Sequence, residues 1–314
     1  MNFEPSDDQR AILDAVEALL TRHAGPKRAA LVRQHGGYDE ALHQALAEGG
    51  FTTIARQEGM GLLEAALIAE RVSRHAGVVP FAAQALVAAG LTSEEITGPV
   101  ALAFDWDVGE PVRFLAQART LVFGDDDGVK LVTPEPIDVE PVASDFGYPM
   151  GRLRAGFTAR GRPLGGGAQA RLSSLWNLAI AVEATGAMDA ALQVTVDYLK
   201  VRKQFGRTIG SFQAVQHRLA GCKVLVEGSR WLAYEAAYKN ADPEASATAA
   251  TYASAAAAQV ARETHQLSGA IGFTREYDLH VWTLRLQALT LELGGISGHR
   301  RVLAALRWNL DGEG

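Results

Sequence analysis

Residues 198–220 read YLKVRKQFGRTIGSFQAVQHRLA, and they gather side chains suited to holding an anion beside a flat ring. Arg202 ends a helical pattern and carries a planar fork that pairs bidentately with phosphate or carboxylate oxygens. Phe205 follows as an aromatic cover, and Gly206 and Gly210 permit a tight loop. Ser211 suits the cap of the next helix, whose first amides would face an anion with Gln213 close by. Taken alone, the same residues also suit a plain helix C-cap with Arg202 as a surface charge.

Other chemistries find less support. Eight histidines fall at no metal-ligand spacing, so no metal site is expected. Cys222 is the only cysteine and sits in an apolar helical pattern, which predicts a buried small side chain rather than a nucleophile. No Gly-x-Ser-x-Gly elbow occurs, so a hydrolase triad has no basis. The Asp125–Asp127 triplet lacks calcium-loop spacing and reads as a hairpin turn. The run Gly165–Gly167 lacks the spaced glycines of a dinucleotide fingerprint and reads as a linker. A net charge of -6 over 314 residues argues against a nucleic-acid surface. The acidic start MNFEPSDDQR is no secretory signal, and no stretch reaches the roughly 18 apolar residues of a membrane span, so the expected compartment is the cytoplasm.

Three kinds of texture must position these residues. Residues 1–96 read as an N-terminal helical domain, with Ile12, Val16, Leu19 and Leu20 on one face of the first helix and Pro80 opening a later one. Residues 97–165 are short β-prone runs between Gly, Pro and Asp turns, a small middle β domain. Residues 166–314 return to long helices. One of these, over 245–261, has ten alanines in seventeen positions, which predicts an inner bundle helix because small side chains let neighbours approach. The C-terminal GHRRVLAALRW predicts a helix with Val302, Leu303 and Leu306 facing inward.

In this setting the 198–220 stretch resembles the flavin-dependent acyl-CoA dehydrogenase family, through Y-x-x-x-R-x-Q-F-G-x-x-I-x-x-F-Q-x-x-Q-x-x-L-A. QLSGAIGFTREYDLH, residues 266–280, is similar to the family's Gln-x-x-Gly-Gly-x-Gly-Phe/Tyr-Thr segment. The resemblance implies an N-terminal helical domain, a shortened β-barrel-like middle domain and a C-terminal four-helix bundle. It also implies that Arg202, Gln204, Phe205, Phe212, Gln213, Gln266 and Gly269 contact the ADP half of FAD, mainly the FAD of a neighbouring subunit.

The resemblance fails where the family's chemistry is done. A glutamate there takes the α-proton of an acyl-CoA while hydride leaves to the flavin. Aligned on the glycines of TLELGGIS, this chain places Leu293 at that position. Glu292 is one residue away, about 100° around a helix. The alternative base position of some relatives corresponds to Ala255, with Glu263 eight residues on and expected to face outward. The middle segment has no Thr-Glu-Pro-x-Ala-Gly-Ser-Asp-like strand. Arg285 corresponds to a structural family arginine. Retention of one half of the FAD site and loss of the other resembles the reduced, base-lacking subunit of heteromeric bacterial steroid side-chain acyl-CoA dehydrogenases. This implies a second subunit carrying the base, an α2β2 assembly, an acyl-CoA substrate and an electron-transfer flavoprotein as acceptor. Two further readings stay open: an active homomer using Glu292, and a non-enzymatic binding or scaffold protein on the same fold.

Overall fold

The computed structural model describes residues 5–94, 96–135 and 138–308. Its first helix, α1 (Asp7–His23), starts on a capping box: Gln9 N–H donates to Ser6 Oγ at 3.1 Å, and Ser6 N–H donates to Gln9 Oε1 at 2.9 Å. Val16 and Leu20 are fully buried, while Ile12 and Leu19 pack at the edge of the core. The second helix, α2 (Pro26–Gln34), was not expected from the sequence; Pro26 at its first turn presets the helical φ. Then follow α3 (Glu40–Glu48), capped by Asp39, and α4 (Leu62–Arg74). Beyond Pro80 the expected helix forms, with a π-helical turn over Ala83–Ala88 that runs into α5 (Ala89–Leu91).

The middle segment holds two small sheets. β1 (Val100–Phe104), β3 (Thr120–Asp125), β4 (Gly128–Val132) and β7 (Gly161–Pro163) form one, in the order β1-β3-β4-β7. β1 and β3 run parallel, with Val100 opposite Thr120, and the other pairs are antiparallel. The second sheet is antiparallel, with β2 (Pro111–Arg113), β6 (Met150–Leu153) and β5 (Val139–Val142) in the order β2-β6-β5. A separate apolar cluster that includes Ala101, Val112, Leu115, Leu121, Phe123 and Leu153 fills the space between them. The aspartate triplet is the turn of the β3–β4 hairpin, and Lys130 Nζ closes on Asp125 at 2.7 Å.

The C-terminal segment is built around α6 (Ala168–Val201), about 50 Å long at helical rise. The sequence suggests an amphipathic helix, but residues 174–188 of α6 are buried on every face. The reason is its central place, packed against α4 on one side and the rest of the bundle on the other. Gly186 permits the α4 crossing, since a Cβ there would stand 2.2 Å from Glu70 O. A two-stranded hairpin, β8 (Lys203–Gln204) and β9 (Arg207–Thr208), links α6 to α7 (Gln213–Tyr238). α8 (Pro243–Ser268), α9 (Leu279–Leu289) and α10 (Gly295–Trp308) complete the bundle. The alanines of α8 do face inward, as expected: Ala247, Ala249, Ala250, Ala253, Ala256 and Ala257 are buried. α10 departs from expectation, because Val302 and Leu306 are 41% and 39% exposed and His299 is its deepest side chain. One continuous core runs from α1–α4 into the bundle. Among the described residues no helix is long and apolar enough to cross a membrane.

Candidate functional site

Arg202 is the C-cap of α6, in extended conformation, and its chain enters the β8–β9 hairpin directly. The hairpin pairs Gln204 with Arg207 and Lys203 with Thr208, and Ile209 N–H donates to Arg202 O at 2.8 Å. Its two-residue turn has φ of +55° at Phe205 and +80° at Gly206, the left-handed pair that matches strand twist. Glycine takes that conformation freely, but at Phe205 it costs about 1–2 kcal/mol. The Phe205 ring is 90% exposed, so its own burial does not offset that cost. Phe212 stands edge-on to Phe205 at 6.2 Å between ring centres, and the Arg207 guanidinium lies 4.0 Å over the Phe212 ring.

The α7 N-terminus carries no side-chain cap. Ser211 was expected to supply one, but its hydroxyl donates back to Thr208 O at 2.7 Å, and Phe212 occupies the cap position. Val215 N–H donates to Phe212 O at 3.0 Å, which leaves the Gln213 and Ala214 amides for an outside acceptor, with the Gln213 side chain exposed at the helix start. Among the described residues the Arg202, Lys203 and Arg207 side chains make no ion pair.

The second segment arrives at the same end of the bundle. Arg218, early in α7, pairs with Glu263, late in α8, at 2.6 Å. Tyr277 donates to Val194 O at 2.7 Å, and its ring meets that of Tyr198 at 5.3 Å. Gln266 is exposed on the last turn of α8, and Gly269 ends that helix at φ +66° with nothing within 4 Å of where a Cβ would stand. Beside them a groove of roughly 780 Å³ is lined by Arg262, His265, Gln266, Phe273, Arg275 and Gln287, among others. Unpaired cations, an uncapped helix start, an exposed ring and a side-chain-free glycine together suit a diphosphate carrying a planar base.

The other half of the site is closed. Leu293 stands at φ +52° between Glu292 and the positive-φ pair Gly294 and Gly295. With Asp107, Arg113, Trp176, Glu183 and Glu292 it lines a cavity of only about 50 Å³, room for a water or two. Glu292 is no free base: Arg113 Nε donates to its Oε1, Arg113 Nη2 to Oε2 at 3.3 Å, and Trp176 Nε1 to Oε2 at 2.6 Å. Arg113 also donates to both Glu183 oxygens, at 3.0 and 3.4 Å. Burial disfavours the Arg113 cation, but Glu183 and Glu292 outweigh it and hold its pKa well above the usual value. Burial likewise pushes Glu183 upward against the pull of Arg113, and it pushes Asp107 up to about 6.

Around this knot, Tyr148 lies under Arg113 at 4.8 Å and Arg285 at 5.1 Å. Arg285 is 1% exposed and donates to Gly77 O at 3.0 Å, a buried position consistent with the structural role expected of it. His299 Nδ1 meets Asn177 Oδ1 at 2.9 Å, and burial keeps its pKa below the usual imidazole value. Ala255 faces solvent on α8, and Glu263 is only partly exposed because it is tied to Arg218 rather than facing freely outward. Cys222 is buried, and burial pushes its thiol up to about 11, as befits an inert side chain. No local pattern marks Arg113, Trp176 and Glu183, which meet from a strand and a helix about seventy residues apart.

Residues 6–96 match the family description "Acyl-CoA dehydrogenase, N-terminal domain", and residues 175–305 match "Acyl-CoA dehydrogenase, C-terminal domain". Acyl-CoA dehydrogenase IpdE2 of Mycobacterium tuberculosis is 31% identical over 306 residues, covering 90% of this chain and 91% of that protein. IpdE2 of Mycolicibacterium smegmatis is 28% identical, over 92% of this chain and 95% of its own length. In fold, the chain is similar to a variant of the Tcur3481–Tcur3483 steroid ACAD (TM-score 0.82, 24% identity, 98% of this chain and 99% of that one). It is also similar to the ChsE4–ChsE5 complex from Mycobacterium tuberculosis (TM-score 0.80, 23% identity, 98% and 99%).

Proposed function

The chain belongs to the acyl-CoA dehydrogenase family, and on that premise we propose that it is the base-lacking subunit of a heteromeric, FAD-dependent acyl-CoA dehydrogenase. Bound FAD would supply the hydride acceptor for α,β-desaturation of a CoA thioester. This chain would hold the ADP half through Arg202, Gln204, Phe205, Phe212, Gln213, Gln266 and Gly269. A partner subunit of the same fold would supply the ring pocket and the carboxylate that removes the α-proton, in an α2β2 assembly, with an electron-transfer flavoprotein taking the electrons.

One contrast carries the reading. The corner offers unpaired cations and an uncapped helix to a diphosphate, while the cavity at Leu293 is about 50 Å³ and crossed by the Glu183–Arg113–Glu292 ion triad. A flavin ring and an acyl chain need several hundred Å³. The three domains, 1–96, 97–165 and 166–314, divide the work accordingly: the middle one closes the chain's own pocket, and the last one presents the corner. A steroid side-chain thioester as substrate is supported by the similarity in fold to the Tcur3481–Tcur3483 steroid ACAD, and a two-component assembly by the ChsE4–ChsE5 complex.

The test is a visible absorption spectrum of the purified chain, alone and co-expressed with a neighbouring acyl-CoA dehydrogenase gene product. Flavin only in the co-purified complex, and lost with Arg202→Ala, is the expected result. Flavin on the chain alone that bleaches with an acyl-CoA would return Glu292 to candidacy and overturn the half-site reading.

A further inference from the structure

Arg207 has no role in the family motif as the sequence presents it, yet the hairpin gives it a definite one. In an antiparallel pair, opposed residues share a face, and so do residues two apart in one strand. Gln204 opposes Arg207, and Arg202 precedes Gln204 by two in extended conformation. Arg202, Gln204 and Arg207 therefore stand on one face of the hairpin, with Lys203 and Thr208 on the other.

The Arg207 guanidinium carbon lies over the Phe212 ring, 4.0 Å from its centre. A cation over a ring face is held by electrostatics rather than by a hydrogen-bond acceptor, so the contact leaves the capacity of the guanidinium's N–H donors unfilled. Among the described residues, no hydrogen bond or ion pair takes them up. Two guanidiniums on one face without a carboxylate repel each other, and an anion between them relieves that repulsion. Phe212 is also the N-cap residue of α7, which has no side-chain cap, so the contact holds Arg207 at the helix's N-terminal end.

We propose that Arg207 is a second diphosphate-gripping residue, seated over Phe212 so that its N–H donors, with those of Arg202, hold the ADP half of FAD. This rests on the half-site reading, and the experiment separates the two. The co-purified complex is stripped of flavin and titrated with FAD or riboflavin, with flavin fluorescence quenching as readout, at two salt concentrations. Arg207→Gln is expected to weaken FAD about 10- to 100-fold, the span of a charge-assisted hydrogen bond, and to flatten the salt dependence. Riboflavin, which lacks both phosphates and the adenosine, keeps its wild-type affinity. Arg207→Lys keeps the charge without the planar stack and falls between. An unchanged thermal melt of the stripped complex shows that assembly is intact.

If Arg207→Gln binds FAD within twofold of wild type while Arg202→Ala does not, the Arg207 assignment is wrong and the half-site reading stands. An equal loss for FAD and riboflavin also overturns it, because the residue is then not acting on the diphosphate. If Arg202→Ala leaves FAD affinity unchanged as well, the half-site reading fails and the Arg207 assignment falls with it.

Discussion

Two arginine-centred regions of this chain are opposites. At the β8–β9 hairpin, Arg202 and Arg207 are exposed and lack an anionic partner among the described residues. Under the middle domain, Arg113 is 13% exposed and saturated by two carboxylates, which are themselves 10% and 15% exposed. An exposed cation stays hydrated and loses little by waiting for a ligand. A buried cation must be paired within the fold, because desolvating it alone costs several kcal/mol. The contrast is between cations left open to solvent in one region and a cation paired within the fold in the other.

The comparison breaks most sharply at Arg113. Arg113→Leu leaves Glu183 and Glu292 buried without their cation, and a loss of about 3–5 kcal/mol is expected in a denaturant melt. Adding Glu183→Leu and Glu292→Gln, which keeps an acceptor for Trp176 Nε1, should recover most of it. A loss below 1 kcal/mol for Arg113→Leu alone would mean that the triad does not close the pocket.

A pH series sharpens the same region. Asp107 lines the closed cavity, and its pKa is raised to about 6, mainly by burial. For a carboxyl raised on folding, the native state holds the extra proton. Its contribution is therefore fully present below the unfolded value near 4 and is lost as pH rises through about 6. Asp107→Asn keeps an acceptor for Phe104 N–H, which Asp107 Oδ2 receives at 2.8 Å. The variant should exceed wild type in stability by roughly 1–2 kcal/mol at pH 8, with the gap closing toward pH 4. A gap that does not vary with pH would show that Asp107 stays ionised throughout.

The smallest expected effect lies at the open corner and has opposite signs in two assays. Phe205→Asn puts a residue suited to φ +55° in the turn and should raise stability by about 0.5–1 kcal/mol. It removes the exposed ring, so flavin retention by the complex should fall. Equal flavin content in both proteins would show that the strained phenylalanine serves something other than the cofactor.

Much of this molecule is legible from sequence because its signals are local. Ser6 before Asp7 and Asp8 announces the start of α1, the alanines announce α8, and RKQFG followed by SFQ places the corner between two helices. Local signals mislead where a neighbour competes for the same group, as when Ser211 turns back to Thr208 instead of capping α7. They also mislead where solvent is absent on all sides, as along α6. By resemblance to the family, the sequence puts Leu293 at the expected position of the base, with Glu292 beside it. Only the tertiary structure decided what Glu292 does. Its partners Trp176 and Arg113 lie 116 and 179 residues away, on a different helix and a strand, and no spacing rule reaches that far. A linear motif records what one segment can offer; pairing of buried charge depends on which segments the core brings together.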